Sequence, residues 1–330
     1  MKDNITPLHG GNGTDGFLND VMSADGGMEI TTARDIQAMD FPPINYIVEP
    51  YIVEGLTIFA GKPKIGKSWL SLDIALGVAF GGVAMGSIEV DPGDVLYAAL
   101  EDNPRRLKRR ISQLLMEDVD WPDNLSFATS ARRLDDGGLD DIARWADEAE
   151  NPRLVIIDTF AKVRPVRSSK DSGYDADYAA LTPLQQFAGE RGLGVVLVHH
   201  LRKMEGDDPL DTVSGSTGLT GAADTVLVLA RDSQGVVLHG RGRDIDEIEQ
   251  AMQFDQTTGR WSILGDAADV RRSDERRAIQ KAISAAGEPL SPSEIAAATG
   301  MKDANVRVLL HKMAKDGEVT KGGRGRYDNP

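Results

Sequence analysis

The chain contains no cysteine and no apolar run long enough to cross a membrane. The absence of cysteine from all 330 residues excludes disulfides, thiolate metal ligands and a thiol nucleophile. It also fits a reducing compartment. No apolar stretch approaches the roughly 20 residues that a membrane-spanning helix needs, and the first residues lack the charged-then-apolar pattern of a secretory signal. We therefore expect a cytoplasmic protein without a membrane partner.

Positive charge is scarce overall but unevenly distributed. The chain has 37 Lys and Arg against 52 Asp and Glu, a net charge of -15. Residues 271–330 hold 12 basic and 8 acidic residues, a net of +4, which leaves -19 on the other 270 residues. Local patches decide nucleic-acid binding, so an acidic body with a basic end does not exclude it.

The composition and the order of patterns predict a flexible arm followed by two folded units. A hydrophobic fraction of 41% and a length of 330 residues suit a globular chain of about two domains. Residues 1–34 are rich in glycine and lack an apolar period, so they are predicted to be a flexible arm. Residues 35–265 alternate apolar strands with helical stretches, residues 266–273 form a polar linker, and residues 274–330 form a small helical unit.

Residues 61–68 read Gly-Lys-Pro-Lys-Ile-Gly-Lys-Ser and match the phosphate-binding pattern G-x4-G-K-[ST]. An apolar run precedes the loop at residues 56–60, and helical spacing of apolar residues follows it. Strand, loop and helix are the context in which backbone N–H groups and the helix N-terminus hold phosphates. The alternative is a glycine turn that happens to carry a lysine. The predicted nucleotide-binding residues are Gly61, Lys62, Pro63, Lys64, Ile65, Gly66, Lys67, Ser68 and Trp69.

Within this loop, two side chains have specific predicted tasks. Lys67 is expected to reach the β- and γ-phosphates, and the Ser68 hydroxyl to ligate Mg²⁺. The next strong apolar strand, residues 154–157, ends at Asp158, where a carboxylate suits the same Mg²⁺. An acidic residue at that place can also simply cap a turn. The strand at residues 95–100 ends at Glu101, which is predicted to polarise the attacking water or else to be a solvated surface glutamate.

A third strand, residues 194–198, runs into His199 and His200. Adjacent residues of a strand point to opposite faces, so at most one of these histidines faces the nucleotide. A neutral imidazole at the γ-phosphate can sense hydrolysis through its hydrogen bond. The i,i+1 spacing is poor for a single metal site, so metal binding is not expected here.

Taken in order, these segments resemble the RecA-like ATPases. The series P-loop, Leu-Tyr-Ala-Ala-Leu-Glu-Asp, Val-Ile-Ile-Asp-Thr-Phe and Val-Leu-Val-His-His-Leu-Arg-Lys is similar, more narrowly, to plasmid RepA-type hexameric helicases and related phage AAA proteins, which are close to the DnaB replicative helicases. The stretches at residues 214–227 and 235–244 are similar to the same group. The resemblance covers roughly residues 40–265.

The resemblance implies an α/β fold, in which a mainly parallel sheet is flanked by helices, and ATP with Mg²⁺ as cofactors. It also implies a homo-oligomeric ring, in which nucleotide lies between subunits and a neighbour's arginine contacts the γ-phosphate. Arg241 and Arg243 match that arginine finger, and their spacing of two places them on one face of a strand. Helicases nearer DnaB carry lysine at the first of the two positions. The alternative is an exposed basic hairpin. His200 matches the sensor position better than His199.

Two loops after the strands are candidates for contact with single-stranded DNA, because in RecA-like rings such loops line the central channel. The loop at residues 161–178 is basic, whereas the loop at residues 201–214 is basic only at its start. Aromatic residues for base stacking are missing from both loops, apart from Tyr174. Solvated loop charges are the alternative explanation. The candidates are Lys162, Arg164, Arg167, Lys170, Arg202 and Lys203.

Residues 274–330 resemble a winged helix. A helix from Asp274 to Ala286 is followed by Ser291-Pro292-Ser293-Glu294, the signature of a capping box, and that second helix ends at Gly300. Asp303 is predicted to cap a third helix, and a basic glycine-rich hairpin follows. Such a unit binds duplex DNA or another protein. The DNA-binding candidates are Lys302, Asn305, Lys312, Lys321 and Arg324.

Together these features predict an ATP-dependent, ring-forming DNA helicase of phage or plasmid replication, with other replication proteins as further partners. Two alternatives stay open. One is a recombination mediator that forms filaments and pairs strands. The other is a DNA-binding regulator that uses ATP as an assembly switch.

Overall fold

We describe the fold from a computed structural model, in which residues 30–115, 118–166, 172–201, 208–213, 217–232 and 234–330 are described. Most of the predicted arm therefore lies outside the described residues. Its last residues begin a short helix at Ala33, capped by a reciprocal pair of bonds between Thr32 and Asp35. The predicted boundary at residue 34 thus falls inside a helix. No described helix is long and apolar enough to cross a membrane.

Nine α-helices occur in the described part of the chain. They are α1 (Ala33–Ala38), α2 (Lys67–Phe80), α3 (Pro104–Leu114), α4 (Leu139–Glu148), α5 (Gly173–Glu190), α6 (Thr217–Ala222), α7 (Ala267–Ala286), α8 (Pro292–Thr299) and α9 (Asp303–Lys315). The strands are β1 (Tyr46–Val48), β2 (Ile52–Val53), β3 (Gly55–Gly61), β4 (Val83–Ala84), β5 (Ile88–Glu89), β6 (Asp94–Ala99), β7 (Leu125–Ala128), β8 (Pro152–Asp158), β9 (Gly194–His200), β10 (Thr225–Arg231), β11 (Val236–Gly242), β12 (Ile248–Phe254), β13 (Trp261–Asp266), β14 (Thr320–Lys321) and β15 (Tyr327–Asp328).

A nine-stranded sheet organises residues 55–266, in the order β13-β12-β11-β10-β3-β9-β8-β6-β7. The six strands from β10 to β7 are parallel, and β11, β12 and β13 are antiparallel additions at one edge. Parallel strands joined by helices must bury both faces, which explains the almost continuous apolar runs of β3, β8 and β9. The structure confirms the predicted α/β fold with a mainly parallel sheet.

Each face of the sheet carries its own apolar layer. On one face, Phe59, Ile156 and Val198 pack with the P-loop helix α2 and with Trp261. On the other face, Ile58 and Leu197 pack with α5 and α6 and with residues that follow β8. Because side chains alternate along a strand, these two layers also decide on which side each residue at a strand end emerges.

The predicted linker at residues 266–273 is wrong. The side chain of Asp266 accepts hydrogen bonds from the N–H groups of Ala268 and Asp269, and one helix then runs from Ala267 to Ala286 without a break. Ala267 and Val270 pack against Val237 of β11 and Ala251 of β12. That packing holds the first turns of α7 on the sheet, so the expected helix start at residue 274 is seven residues late.

The C-terminal residues form three helices and a two-stranded hairpin around their own apolar cluster. Ile279 and Ile283 of α7 meet Leu310 and Met313 of α9 in this cluster. The predicted capping box at Ser291 and the left-handed Gly300 at the end of α8 are both present. Asp303, however, is the first residue of α9 and not its cap, which is Lys302. The Asp303 carboxylate instead accepts hydrogen bonds from Ser293 and Arg307, so it is engaged by side chains and does not cap the backbone.

Candidate functional site

The P-loop connects the end of β3 to the start of α2 and has little room for side chains. Gly66 has a φ of 112°, a conformation that favours glycine. A Cβ atom at residue 66 would lie 2.8 Å from the ring of Trp261, and the indole Nε1 of Trp261 donates to the Gly66 carbonyl at 3.2 Å. A Cβ atom at Gly61 would lie 2.9 Å from the Leu229 carbonyl. The neighbouring strands therefore mould the loop, and glycine is required at both ends of it.

Lys67, the first residue of α2, is 6% exposed and points back into the loop. Its Nζ donates to the carbonyl oxygens of Gly61 at 2.7 Å and Lys62 at 3.2 Å. Burial lowers the pKa of Lys67 to about 8, although the carboxylates of Asp158 and Glu101 oppose that shift. The loop thus holds one ammonium group, partly stripped of water, among backbone dipoles that suit phosphate oxygens.

Asp158 ends β8 and faces the same cleft. It is 7% exposed, and it accepts hydrogen bonds from the Tyr97 hydroxyl at 3.1 Å and from the Ser68 hydroxyl. Burial raises the pKa of Asp158, and the negative charge of Glu101 adds to that rise, while both hydroxyl bonds oppose it. Two oxygen donors from the loop helix and the neighbouring strand are the ligand type that Mg²⁺ prefers, so Ser68 and Asp158 fit a magnesium ion that keeps several waters.

Glu101 lies just beyond β6, next to Asp158 in the sheet. The N–H of Leu100 donates to the Asp158 carbonyl at 2.7 Å, which ties the two strand ends together. The Glu101 side chain is exposed, while Arg106 donates to the Glu101 carbonyl at 2.9 Å and to Asp102 at 2.7 Å. The main chain of Glu101 is therefore anchored from both sides, and its carboxylate reaches into the cleft near Lys67.

The two histidines emerge on opposite sides of the sheet, as alternation requires. Val196 and Val198 belong to the layer that contains α2, so His200 emerges on the P-loop side, level with Gly61. His199 emerges on the other side, where its ring lies 5.9 Å from that of Phe160. Within the described part of the chain, the buried Nδ1 of His200 has no hydrogen-bond partner. Its role as a sensor stays a prediction.

Arg241 and Arg243 lie at the opposite end of the sheet from the P-loop. In the strand register, Gly61 is level with Leu229, whereas Arg241 is level with Val226, which is nearer the amino end of β10. Both guanidinium groups border one cavity of about 280 Å³. Arg241 pairs with Glu247 at 2.7 Å, and Arg243 pairs with Asp224 at 3.0 Å. In one chain these arginines are not brought to the nucleotide site.

The predicted DNA contacts are only partly described. Lys162 is exposed in a short 3-10 helix after β8, whereas Arg164 forms an ion pair with the buried Asp177. The helix α5 starts inside the predicted loop 161–178, and on it Tyr174 stacks on Tyr178 at 6.1 Å. Lys302, Asn305, Lys312 and Lys321 are exposed on the C-terminal unit. The other candidates lie outside the described residues or side chains: Arg167, Lys170, Arg202, Lys203 and the side chain of Arg324.

A family comparison decides what this cleft belongs to. Residues 26–206, more than half of the chain, match the AAA_25 family, described as an AAA domain. The chain belongs to this family.

Solved structures similar to this AAA domain chain include helicase-type ATPases. One, solved as an ATPase domain, has 16% sequence identity over 64% of this chain and 85% of its own, with a TM-score of 0.51. A DnaB-like replicative helicase, solved with its interactions with primase, has 16% identity over 64% of this chain and 59% of its own, also with a TM-score of 0.51. The AAA domain thus has the RecA-like fold of DnaB-type ATPase domains.

Sequence reasoning missed several residues that support the AAA domain site. Trp261 follows Gly66 by 195 residues, yet it is fully buried and holds the loop from below. Tyr97 is buried in β6 and bonds Asp158. Arg260 donates to the buried Asp73 of α2 at 3.3 Å and to the Leu114 carbonyl at 2.8 Å. The only available signal was a tryptophan or arginine in an otherwise polar hairpin, which does not reveal its partner.

Proposed function

We propose that this AAA domain chain is a Mg²⁺-dependent ATP hydrolase that works as a ring-forming, hexameric DNA helicase in phage or plasmid replication, translocating on single-stranded DNA. One observation carries the proposal. Lys67, Ser68, Glu101 and Asp158 converge at the carboxyl ends of adjacent parallel strands, the edge at which α/β proteins bind ligands. Membership of the AAA domain family and the fold shared with DnaB-like helicase ATPase domains support the same activity.

The residues divide the chemistry in a way that suits phosphoryl transfer. Bound Mg·ATP supplies the phosphoryl group and the counter-charge for it. Lys67 holds the phosphate oxygens, Ser68 and Asp158 hold the metal, and the exposed carboxylate of Glu101 orients water and accepts its proton. His200, on the same side of the sheet, monitors the γ-phosphate position.

The positions of Arg241 and Arg243 support assembly. They lie at the edge remote from the P-loop of their own chain, so they reach a nucleotide only when another copy presents its P-loop edge to them. Their present partners, Glu247 and Asp224, are exposed or at the cavity wall, and such pairs exchange at small cost. A guanidinium added at the γ-phosphate accelerates hydrolysis strongly.

For DNA, we propose a single strand in contact with Lys162, Arg164, Arg167, Lys170, Arg202 and Lys203. The C-terminal unit is proposed to be a winged helix that binds duplex DNA. There, α9 presents Asn305 and Lys312, and the helix–hairpin ends present Lys302, Lys321 and Arg324. Residues 35–265 are proposed as the ATPase domain and the helices with their hairpin as a second domain.

The test is strand displacement on a forked DNA with ATP, comparing wild type with Lys67→Ala and Glu101→Gln. Unwinding by wild type, lost in Lys67→Ala together with ATP turnover, is the expected result. Glu101→Gln is expected to keep ATP binding but to slow hydrolysis by about 100-fold or more, because it removes the proton acceptor. An Arg243→Ala protein mixed with wild type is expected to reduce turnover more than in proportion, since each finger serves a neighbour.

ATP turnover that persists in Lys67→Ala contradicts the proposed site. Hydrolysis without unwinding, with filaments on single-stranded DNA, supports instead a recombination mediator. Binding of a specific duplex without DNA-stimulated hydrolysis supports an ATP-switched regulator, for which the unbroken helix α7 between sheet and C-terminal unit is the favouring observation.

A further inference from the structure

Helix α3, which follows Glu101, carries the densest positive charge in the described chain. Five of the six residues from Arg105 to Arg110 are basic, in a protein whose net charge is -15. The helix buries Leu107, Ile111 and Leu114 on one side. At 3.6 residues per turn, the opposite side is a strip about 100° wide. The residues of this strip, here called the outer face of α3, are Arg105, Lys108, Arg109 and Ser112, all exposed.

The basic residues of α3 fall into two groups. Arg106 and Arg110 lie on the flank of the helix, and both bind the mostly buried carboxylate of Asp102. Arg110 also lies over the ring of Trp69, 5.4 Å from its centre. These two cations are therefore used to fix the helix beside the P-loop. Among the described residues, neither Arg105, Lys108 nor Arg109 forms an ion pair.

Helix stability does not explain the outer face. The N-terminus of a helix favours acidic side chains, yet the first turn of α3 contains Arg105 and Arg106 and no acidic residue. Arg105 and Arg109 are also a like-charged i,i+4 pair, which destabilises a helix. Asn103 caps the helix through its side chain, so the helix forms in spite of these charges. Residues that break a local rule without a structural gain are expected at functional positions.

We propose that the outer face of α3 binds the phosphodiester backbone of a nucleic acid strand. Arg and Lys side chains, supplemented by the hydroxyl of Ser112, are the groups that contact phosphates. The strip has no apolar or aromatic residue at its centre, as the core of a protein–protein interface would have. The helical rise separates Arg105 and Arg109 by about 6 Å, so both can contact one extended backbone.

The site extends the proposed function, because it lies apart from the loops and the C-terminal unit assigned to DNA there. Its place in the fold connects it to hydrolysis. Arg106, in the first turn of α3, donates to the Glu101 carbonyl, and Asp102 next to Glu101 binds both Arg106 and Arg110. A strand held on the outer face is thus attached through one helix to the segment that carries Glu101.

The experiment measures binding of the full chain to a labelled oligothymidine over a range of salt concentrations. The test variant is R105Q/R109Q. The matched control is R144Q/R191Q, which also removes two exposed arginines, each paired with one aspartate on the surface. Each lost phosphate contact on a single strand lowers the slope of log K against log salt by about 0.7, so we expect a fall of about 1.4 for the test variant only. Because like charges are removed from a helix N-terminus, the test variant is expected to melt no earlier than wild type.

Each other outcome has a definite meaning. An unchanged slope in R105Q/R109Q, with wild type binding normally, overturns this site but leaves the proposed helicase intact. No nucleic-acid binding by wild type overturns both. Loss of oligomerisation with an unchanged slope shows that the face binds another copy of the chain and overturns the proposal. Competition by polyglutamate as strong as by oligothymidine also overturns it, and a parallel duplex titration shows whether single or double strands are preferred.

Discussion

The lowered pKa of Lys67 predicts that nucleotide affinity depends on pH in an unusual range. Burial in the P-loop lowers the pKa of this lysine to about 8. An ordinary lysine, with a pKa near 10.4, stays protonated through pH 9. The Lys67 ammonium is instead lost as the pH rises through about 8. Since phosphates bind to the ammonium and not to the neutral amine, affinity must fall over the same range.

The expected magnitude follows from the fraction of protonated Lys67. With a pKa of about 8, roughly three quarters of the protein is protonated at about pH 7.5, and roughly 3% at about pH 9.5. Affinity is therefore expected to fall roughly 25-fold, or about 1.9 kcal/mol. A lysine of ordinary pKa gives almost no change over this range. The nucleotide phosphates are fully ionised throughout, because their last pKa lies near 6.

Calorimetric titration with a slowly hydrolysed ATP analogue at several pH values measures this effect. Lys67→Arg is the matched control, since arginine stays charged in the same place and its affinity, though weaker, is expected to be flat with pH. A wild-type affinity that changes less than about twofold would refute the argument that burial controls this charge.

Two further substitutions test how the site is supported. Gly66→Ala puts a Cβ atom 2.8 Å from the Trp261 ring at a φ of 112°, so ATP affinity is expected to fall by at least about tenfold and melting to come earlier. Gly189→Ala in α5, where a Cβ atom meets nothing within 4 Å, is the control, and equal effects would contradict the assignment. Arg260→Met removes a donor from the buried Asp73 and is expected to cost about 2–3 kcal/mol in urea unfolding. The exposed pair of Arg191 with Asp147 is expected to cost under about 1 kcal/mol when broken by Arg191→Met, and similar losses for both would show that burial of Asp73 does not matter.

The sequence predicted the parts of the site that depend on local pattern. The strands ending at Asp158 and His200, and the helix after Lys67, follow from apolar runs whose length and spacing are set by burial on both faces of the sheet. Alternation along β9 also predicted that only one histidine faces the nucleotide. These features need no knowledge of the rest of the chain.

What depends on distant pairing was not predictable. The distance of Arg241 from the P-loop follows from the antiparallel register of β11 on β10, which the sequence does not encode locally. The hydrogen bond from Trp261 to Gly66 joins residues far apart in the chain. The helix start at Ala267 was missed because residues 267–273 look polar, and only their contact with Val237 and Ala251 shows which side chains are buried.

The unbroken helix α7 has a mechanical consequence. Its first turn rests on β11 and β12, and its last turns contribute Ile279 and Ile283 to the C-terminal cluster. With 20 residues at 1.5 Å each, it is a rod about 30 Å long. A tilt of about 10° at the sheet therefore displaces the far end by about 5 Å. Because β11 also carries Arg241, the strand that reaches toward a neighbouring nucleotide is the fulcrum of this lever, and there is no hinge between them to absorb the motion.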